Sequence, residues 1–312
     1  MNTSSYFIPD KALFGSYPTS TSAKELEENG VCLFVNLTEL SENLDPYNIS
    51  PTSEIIHFPI PDRKIPINIL DFSIFIISVT KKLAQLSDNK KIYIHCKGGH
   101  GRSGVVVASI LCYYYDIEPS RALELTTQYH SNRKEMRAKW RTIGSPQTPK
   151  QKFFVTKLFE PLRFYKAFKT GNSVGFSNFS AHPVYIDNFG KTFPTAEAAF
   201  NAFKSPNDTK YIDNLVSAKT PFIAKELSRK CELREDWYER RQEFMTIVIY
   251  AKLLQHEDFR NNLLHSYLRP IVHYTQNDKY WGNGANDCGQ NILGKILMKL
   301  RNKLYIDIIN KS

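Results

Sequence analysis

Ile92-Tyr93-Ile94-His95-Cys96-Lys97-Gly98-Gly99-His100-Gly101-Arg102-Ser103-Gly104, running on into Val105-Val106-Val107, decides the fold of the first half of this 312-residue chain. Ile92 to Cys96 reads as a buried strand. Three glycines then break it, and an apolar run that begins at the arginine reads as a helix. A glycine-rich turn between a strand and a helix faces its backbone N–H groups inward and adds the positive end of a helix, which makes an anion cradle. Cys96, at the floor of that cradle, is expected to be held as a thiolate. Arg102 supplies a planar fork that matches two oxygens of a phosphoryl group in transfer.

Outward from this loop, Val31 to Leu37 and Glu54 to Ile60 read as further strands. Ile69 to Leu86, Ser103 to Tyr115 and Pro119 to Tyr129 read as helices, and another is expected from Thr148 to Phe164. This is α/β alternation around a mainly parallel sheet. In the second half Val184 to Ile186 reads as a strand. Ala196 to Lys204, Glu239 to Gln255 and Ile292 to Leu304 carry helical apolar spacing, the second of these through Phe244, Ile247, Val248, Ala251 and Leu254. That half is expected to be mostly helical α+β with a small sheet. Thr170-Gly171-Asn172-Ser173 marks the expected boundary, giving domains over 1–166 and 172–312.

The composition, 42% hydrophobic and 23% charged, excludes a disordered or fibrous chain. No apolar stretch approaches the roughly 18 residues that span a bilayer, and the N-terminus lacks a signal-peptide pattern, so a cytoplasmic protein with no membrane partner is expected. Five cysteines without a CxxC pair argue for free thiols. No metal-ligand spacing is visible, and neither a metal nor a cofactor is expected. Of the net charge of +10, most lies in 131–169, with eleven Lys/Arg against Glu135 and Glu160. No recognition motif accompanies this charge, so it is expected to be a solvated connecting segment, with nucleic-acid binding as the lesser alternative.

The Cys96 loop resembles the HCxxGxxR[S/T] signature of the protein tyrosine phosphatase superfamily, specifically its dual-specificity branch, over about residues 6–164. The resemblance implies that Cys96 forms a phosphocysteine, that Ser103 assists the departing thiolate and that His95 tunes the loop. It places the general acid at Asp62, in Phe58-Pro59-Ile60-Pro61-Asp62-Arg63, where a carboxyl after a strand and between prolines suits proton donation to a leaving group. Lys97, Gly98, Gly99, His100 and Gly101 would bind the phosphoryl group, and a cationic His100 beside Lys97 would favour highly charged substrates. A shallow site able to take a phosphoprotein or a nucleotide or sugar phosphate is expected.

In the second half aromatic and acidic residues sit in glycine-rich turns, which suits a base-plus-ribose ligand. Phe176-Ser177-Asn178-Phe179, Pro194-Thr195-x-Glu197 with Lys204, Trp237, and Asp278-x-x-Trp281-Gly282 through Gly289-Gln290-Asn291-x-x-Gly294 resemble, in order, the NADAR family of YbiA-like N-glycosidases. The resemblance implies cleavage of a ribosyl N-glycosidic bond, in phosphoribosylamino-pyrimidines of riboflavin synthesis or in ADP-ribosylated bases. Glu197 and Asp278 would be catalytic, with Asn178, Lys204, Trp237 and Trp281 binding substrate. Tyr238 and His273 stand where many members carry acids. The sequence therefore supports a bifunctional hydrolase, or alternatively a phosphatase tethered to a non-catalytic nucleotide or ADP-ribose reader.

Overall fold

The computed structural model describes residues 2–165 and 175–310, and the chain divides into two compact units, Met1–Glu160 and Pro161–Ser312. The boundary expected at Thr170 to Ser173 lies outside the described residues, as do Lys166 and Lys169.

In the first unit the chain runs β1 (Ser4–Ile8), β2 (Ala12–Gly15), α1 (Ser20–Glu28), β3 (Val31–Asn36), β4 (Glu54–His57), α2 (Ile69–Gln85), β5 (Lys91–His95), α3 (Arg102–Tyr115), α4 (Pro119–Ser131), α5 (Ala138–Ile143) and α6 (Pro149–Leu158). The sheet order is β1-β2-β5-β3-β4, with β1 antiparallel to β2 and every other pair parallel. Strands covered on both faces read as unbroken apolar runs, as Val31 to Val35 does. The register sets Gly15 and Asn36 beside His95, and His57 beside Asn36. Four parallel strands thus end at one level, and the loops that leave this edge form the rim where α/β sheets hold ligands. Helix α3 is the central one, with each residue from Arg102 to Cys112 buried.

The helix expected over Thr148 to Phe164 stops at Leu158, because Pro161 lacks an N–H and biases Glu160 away from helical geometry. Leu162–Phe164 is instead strand β6, buried at Leu162 and Phe164 and exposed at Arg163, a period of two too short to be seen against the preceding helix.

In the second unit β7 (Val184–Ile186), β8 (Lys191–Phe193), α7 (Ala196–Ala202), α8 (Thr209–Val216), α9 (Pro221–Ser228), α10 (Trp237–Gln255), α11 (Glu257–Leu264), β9 (Ile271–His273) and α12 (Ile292–Ile309) follow β6. Strands β6 and β9 pair in parallel and β7 and β8 antiparallel, so the small sheet expected is two short ribbons among helices. Phe176, Phe193, Phe244, Val248 and Leu297 are central to one core. Leu254, expected on the apolar face of α10, is 60% exposed. The buried face runs instead through Met245, Ile249, Lys252 and Leu253.

Among the described cations of the basic segment Arg133 alone is buried, and several exposed ones are engaged by neighbouring groups. Arg133 is buried, with its guanidinium 4.4 Å from the Phe14 ring centre and a bond to the Phe14 carbonyl. Arg141 donates to the carbonyls of Ser131 and Arg133, Lys157 pairs with Glu160, and Arg163 pairs with Asp287. All five cysteines are free thiols. No helix among the described residues is long and apolar enough to cross a membrane.

Candidate active sites

Strand β5 delivers His95 and Cys96 to the carboxyl edge of the sheet, and the chain then turns over the end of β2. Gly99 has φ +71° and lies against Gly15, whose carbonyl carbon would stand 2.3 Å from any added Cβ. A side chain there is excluded by both conformation and contact. Gly101 is the N-cap of α3 and offers no side-chain acceptor, which leaves first-turn N–H groups for an anion. Cys96 Sγ lies 3.6 Å from Ser103 Oγ, within reach of a hydrogen bond to sulfur. His95 is fully buried, bonded through Nε2 to the Tyr47 hydroxyl at 2.7 Å, and burial pushes its pKa down to about 3. It is therefore a neutral prop beneath the loop.

Arg102 is 1% exposed and is held from two sides. Both Glu42 oxygens take its terminal nitrogens, the Ile60 carbonyl accepts a bond at 3.0 Å, and Asp62 Oδ1 lies 3.0 Å away. The guanidinium beside Glu42 holds that carboxyl below its ordinary value despite the opposing effect of burial. The sequence reading missed Glu42. Its signal is position, in the loop that leaves the carboxyl end of β3, the same edge that presents Cys96.

Cys96, Arg102 and Asp62 line one cavity of about 180 Å³ with Lys97, Gly98, His100 and Gly101, and with Trp140 and Gln147, which sequence reasoning also missed. Buried Gln151 donates to the Lys64 carbonyl at 2.9 Å and so ties α6 to the segment carrying Asp62. His100 differs from its expected role. Its Nδ1 is 2.7 Å from His130 Nε2, its ring stacks on Trp140 at 4.6 Å, and burial pushes its pKa down to about 4. It faces the cavity as a neutral ring, which leaves Lys97 exposed as the cation of that pair.

In the second unit Thr195 caps α7, accepting from Ala198 N at 3.2 Å, and so sets Glu197 in the first turn. The Glu197 N–H bonds the Asn178 carbonyl at 3.0 Å, which joins two of the expected motifs. Glu197 is enclosed but keeps some solvent access, and desolvation pushes its carboxyl above the ordinary value against the pull of Lys225 and Lys204. Asn178 is 8% exposed, and its Oδ1 has no hydrogen-bond partner. Lys204 bonds Ser228 Oγ at 3.1 Å, lies 5.5 Å from the Trp237 ring centre, and is held below its ordinary pKa by burial. Lys225, on α9, was missed because nothing in its local sequence marks it.

Trp281 packs edge-on against Phe200 at 5.3 Å and keeps partial exposure. Trp237 does not fit its expected role. It is 6% exposed and packed against Phe200 and Phe244, which makes it core support. Asp278 Oδ1 accepts from Tyr280 N at 2.9 Å and Trp281 N at 2.8 Å, so this carboxylate shapes the turn that presents Trp281. Of the two departures, Tyr238 points outward, 68% exposed, and His273 is half-buried and stacked on Phe164 at 5.1 Å.

Comparison with known proteins agrees with both halves. Residues 1–155 match the family described as Swiss Army Knife protein, DSP-PTPase phosphatase domain, and residues 163–305 match the NADAR domain. "Putative tyrosine phosphatase 197R" of Invertebrate iridescent virus 6 is 33% identical, across 97% of this chain and 96% of that protein. "Putative tyrosine phosphatase 067L" of Invertebrate iridescent virus 3 is 37% identical, over 60% of this chain and 77% of its own length. "N-glycosidase YbiA" of Shigella boydii serotype 4 (strain Sb227) is 38% identical, over 45% of this chain and 88% of its own length. A relative that spans nearly the whole chain and a match for each half converge on one assignment: the chain belongs to the family of hydrolases in which a DSP-PTPase phosphatase domain is followed by a YbiA-like NADAR domain.

Proposed function

We propose that both domains are catalytic, the first hydrolysing a phosphomonoester through Cys96 and the second cleaving a ribosyl N-glycosidic bond at Glu197. The observation that carries the first activity is the meeting of Cys96, Arg102 and Asp62 around one small cavity at the end of the sheet. Cys96 attacks phosphorus, so that an S–P bond forms as the ester O–P bond breaks, and Asp62 gives its proton to the leaving oxygen. Water then attacks the phosphocysteine, releasing inorganic phosphate, and Ser103 stabilises the sulfur as it leaves. Incoming phosphoryl oxygens take over the Arg102 face that Asp62 touches at 3.0 Å, which frees Asp62 to reach the leaving group. Glu42 keeps the fork aimed throughout. A nucleotide phosphate, a sugar phosphate or a phosphoprotein side chain is the substrate class proposed.

Asp62→Asn is expected to slow alkyl phosphates by about 100- to 10,000-fold while changing activated aryl phosphates far less, because a good leaving group needs little proton donation. Steady-state kinetics on a nitrophenyl and an alkyl ester test this. An equal loss on both would move the acid elsewhere.

For the second activity, Glu197 offers a carboxylate to a cationic sugar, and Asn178 Oδ1, which has no hydrogen-bond partner, offers an acceptor to one of its hydroxyls. Phosphoribosylamino-pyrimidines or ADP-ribosylated bases are the substrate classes proposed. The reader alternative is favoured by His273, a ring stacked on Phe164 at a position where the resemblance to the NADAR family implies an acid. Product release from such glycosides by the intact chain separates the two readings.

A further inference from the structure

Away from both candidate sites, His182, His256 and Asp258 bring three ligand atoms within 4.8 Å of one another. His182 follows the Phe176 to Ser180 loop, whereas the other two lie at the junction of α10 and α11, so no local spacing in the sequence announces the group.

The proton arrangement is what makes the cluster informative. His256 Nε2 lies 2.6 Å from the Pro183 carbonyl, which can only accept, so this nitrogen carries a proton and in the neutral ring the lone pair is on Nδ1. Ser180 Oγ donates to the Ser177 carbonyl and accepts from Lys252 Nζ, which leaves it an acceptor for His182 Nδ1–H at 2.9 Å. His182 Nε2 then turns a lone pair toward Asp258 Oδ2 at 3.0 Å, and two acceptors at that distance need a cation between them. At His182 an outer nitrogen tied to an oxygen and an inner lone pair aimed at a carboxylate form the arrangement that orients metal-binding histidines.

The spacing also suits a small metal ion. Bonds of about 2.0–2.1 Å at a tetrahedral angle set ligand atoms about 3.3 Å apart and coordinated imidazole centres about 5 Å apart. The structure has 3.0 Å for His182 to Asp258 and 4.8 Å between the two ring centres, and the three ligand atoms, within 4.8 Å of one another, would draw in around a bound ion.

We propose that His182, His256 and Asp258 form a three-ligand site for a divalent transition metal, with Zn²⁺ the ion its imidazole and carboxylate donors suit, and a fourth position open to water. Asp258 is exposed and gives the ion a way in. A bound ion clamps residues 180–183 to the start of α11. Because Ser180 N bonds Ser177 O, the clamp also steadies the loop that carries Asn178. Lys252 Nζ, one hydroxyl behind His182, opposes a dication, so affinity is expected below that of a closed four-ligand site.

The test is equilibrium dialysis of the full chain against Zn²⁺, with Co²⁺ as a spectroscopic substitute. One ion per chain is expected, together with a cobalt ligand-field spectrum lacking a thiolate charge-transfer band and a rise in melting temperature with Zn²⁺. Asp258→Asn, an exposed and isosteric change, and His256→Gln should each remove the ion and the temperature rise, and circular dichroism should report an unchanged fold. Wild type that binds no ion, or variants that bind as wild type does, would overturn the proposal and leave a proton as the bridge between His182 and Asp258.

Discussion

Cys96→Ser is expected to bring phosphatase turnover to background, a loss on the order of 10⁴- to 10⁶-fold, the scale seen when a covalent catalyst loses its nucleophile. The serine hydroxyl is far less ionised than a thiol. The hydrogen-bond partner of Cys96 Sγ, the Ser103 hydroxyl at 3.6 Å, is not a base that could activate it. Arg102→Lys should cost about 10²- to 10⁴-fold, since an ammonium cannot present the planar fork, and two charge-assisted hydrogen bonds of about 1.5–3 kcal/mol each are at stake. This second change also removes the partner of Glu42, whose side chain is only 10% exposed, so a fall in melting temperature should accompany it. Glu42→Gln separates the effects. It weakens the brace but leaves the fork, and the loss of activity should be much smaller than for Arg102→Lys. Hydrolysis of an aryl phosphate in the presence of a chelator is the assay. Activity that survives in Cys96→Ser, or that the chelator removes, would reject the assignment.

Glu197→Gln is expected to cut release of free base or ribosyl product by about 10²- to 10³-fold, the scale of removing one preorganised charge from a developing ion. Ligand binding should remain measurable. The pH dependence has a definite sign. Catalysis needs the ionised carboxylate, its ionised fraction falls as pH falls through its pKa, and burial raises that pKa. The acid limb of the rate profile should therefore lie above the roughly 4.3 of a free glutamate, and the Gln variant should lack it. Trp281→Ala should instead weaken binding by about 1–3 kcal/mol if the ring stacks on the base. Wild type that binds these glycosides and releases nothing would favour the reader, with His273 the first suspect.

The residues that were legible in the sequence are those whose partners lie within one turn or loop. His95 to Ser103 occupy a single strand, loop and helix start, so residue type and spacing alone defined the cradle. Glu42 reaches Arg102 only because β3 and β5 are neighbours in the sheet, and strand order is not written in any local window. Lys225 and the His182 cluster were hidden for the same reason. Trp237 and His100 failed differently. Burial decides whether an indole is a platform or a core residue and whether an imidazole carries charge, and burial belongs to the packed structure. Asp278 shows a third case, in which a carboxylate expected to act on substrate is engaged by the backbone of its own turn.

Strand β6 has a consequence for taking the protein apart. It precedes the segment 166–174, yet its hydrogen bonds run to β9, with Leu162 opposite Ile271 and Phe164 opposite His273. Phe164 also sits edge-on to Phe176 at 5.8 Å, inside the second core. A chain cleaved between Phe164 and Gly175 is therefore one molecule in two pieces: the amino-terminal fragment keeps a three-residue plug seated in the carboxy-terminal one. A NADAR fragment begun after the cut loses a strand and a buried phenylalanine, and should be rescued by a peptide that supplies Leu162-Arg163-Phe164.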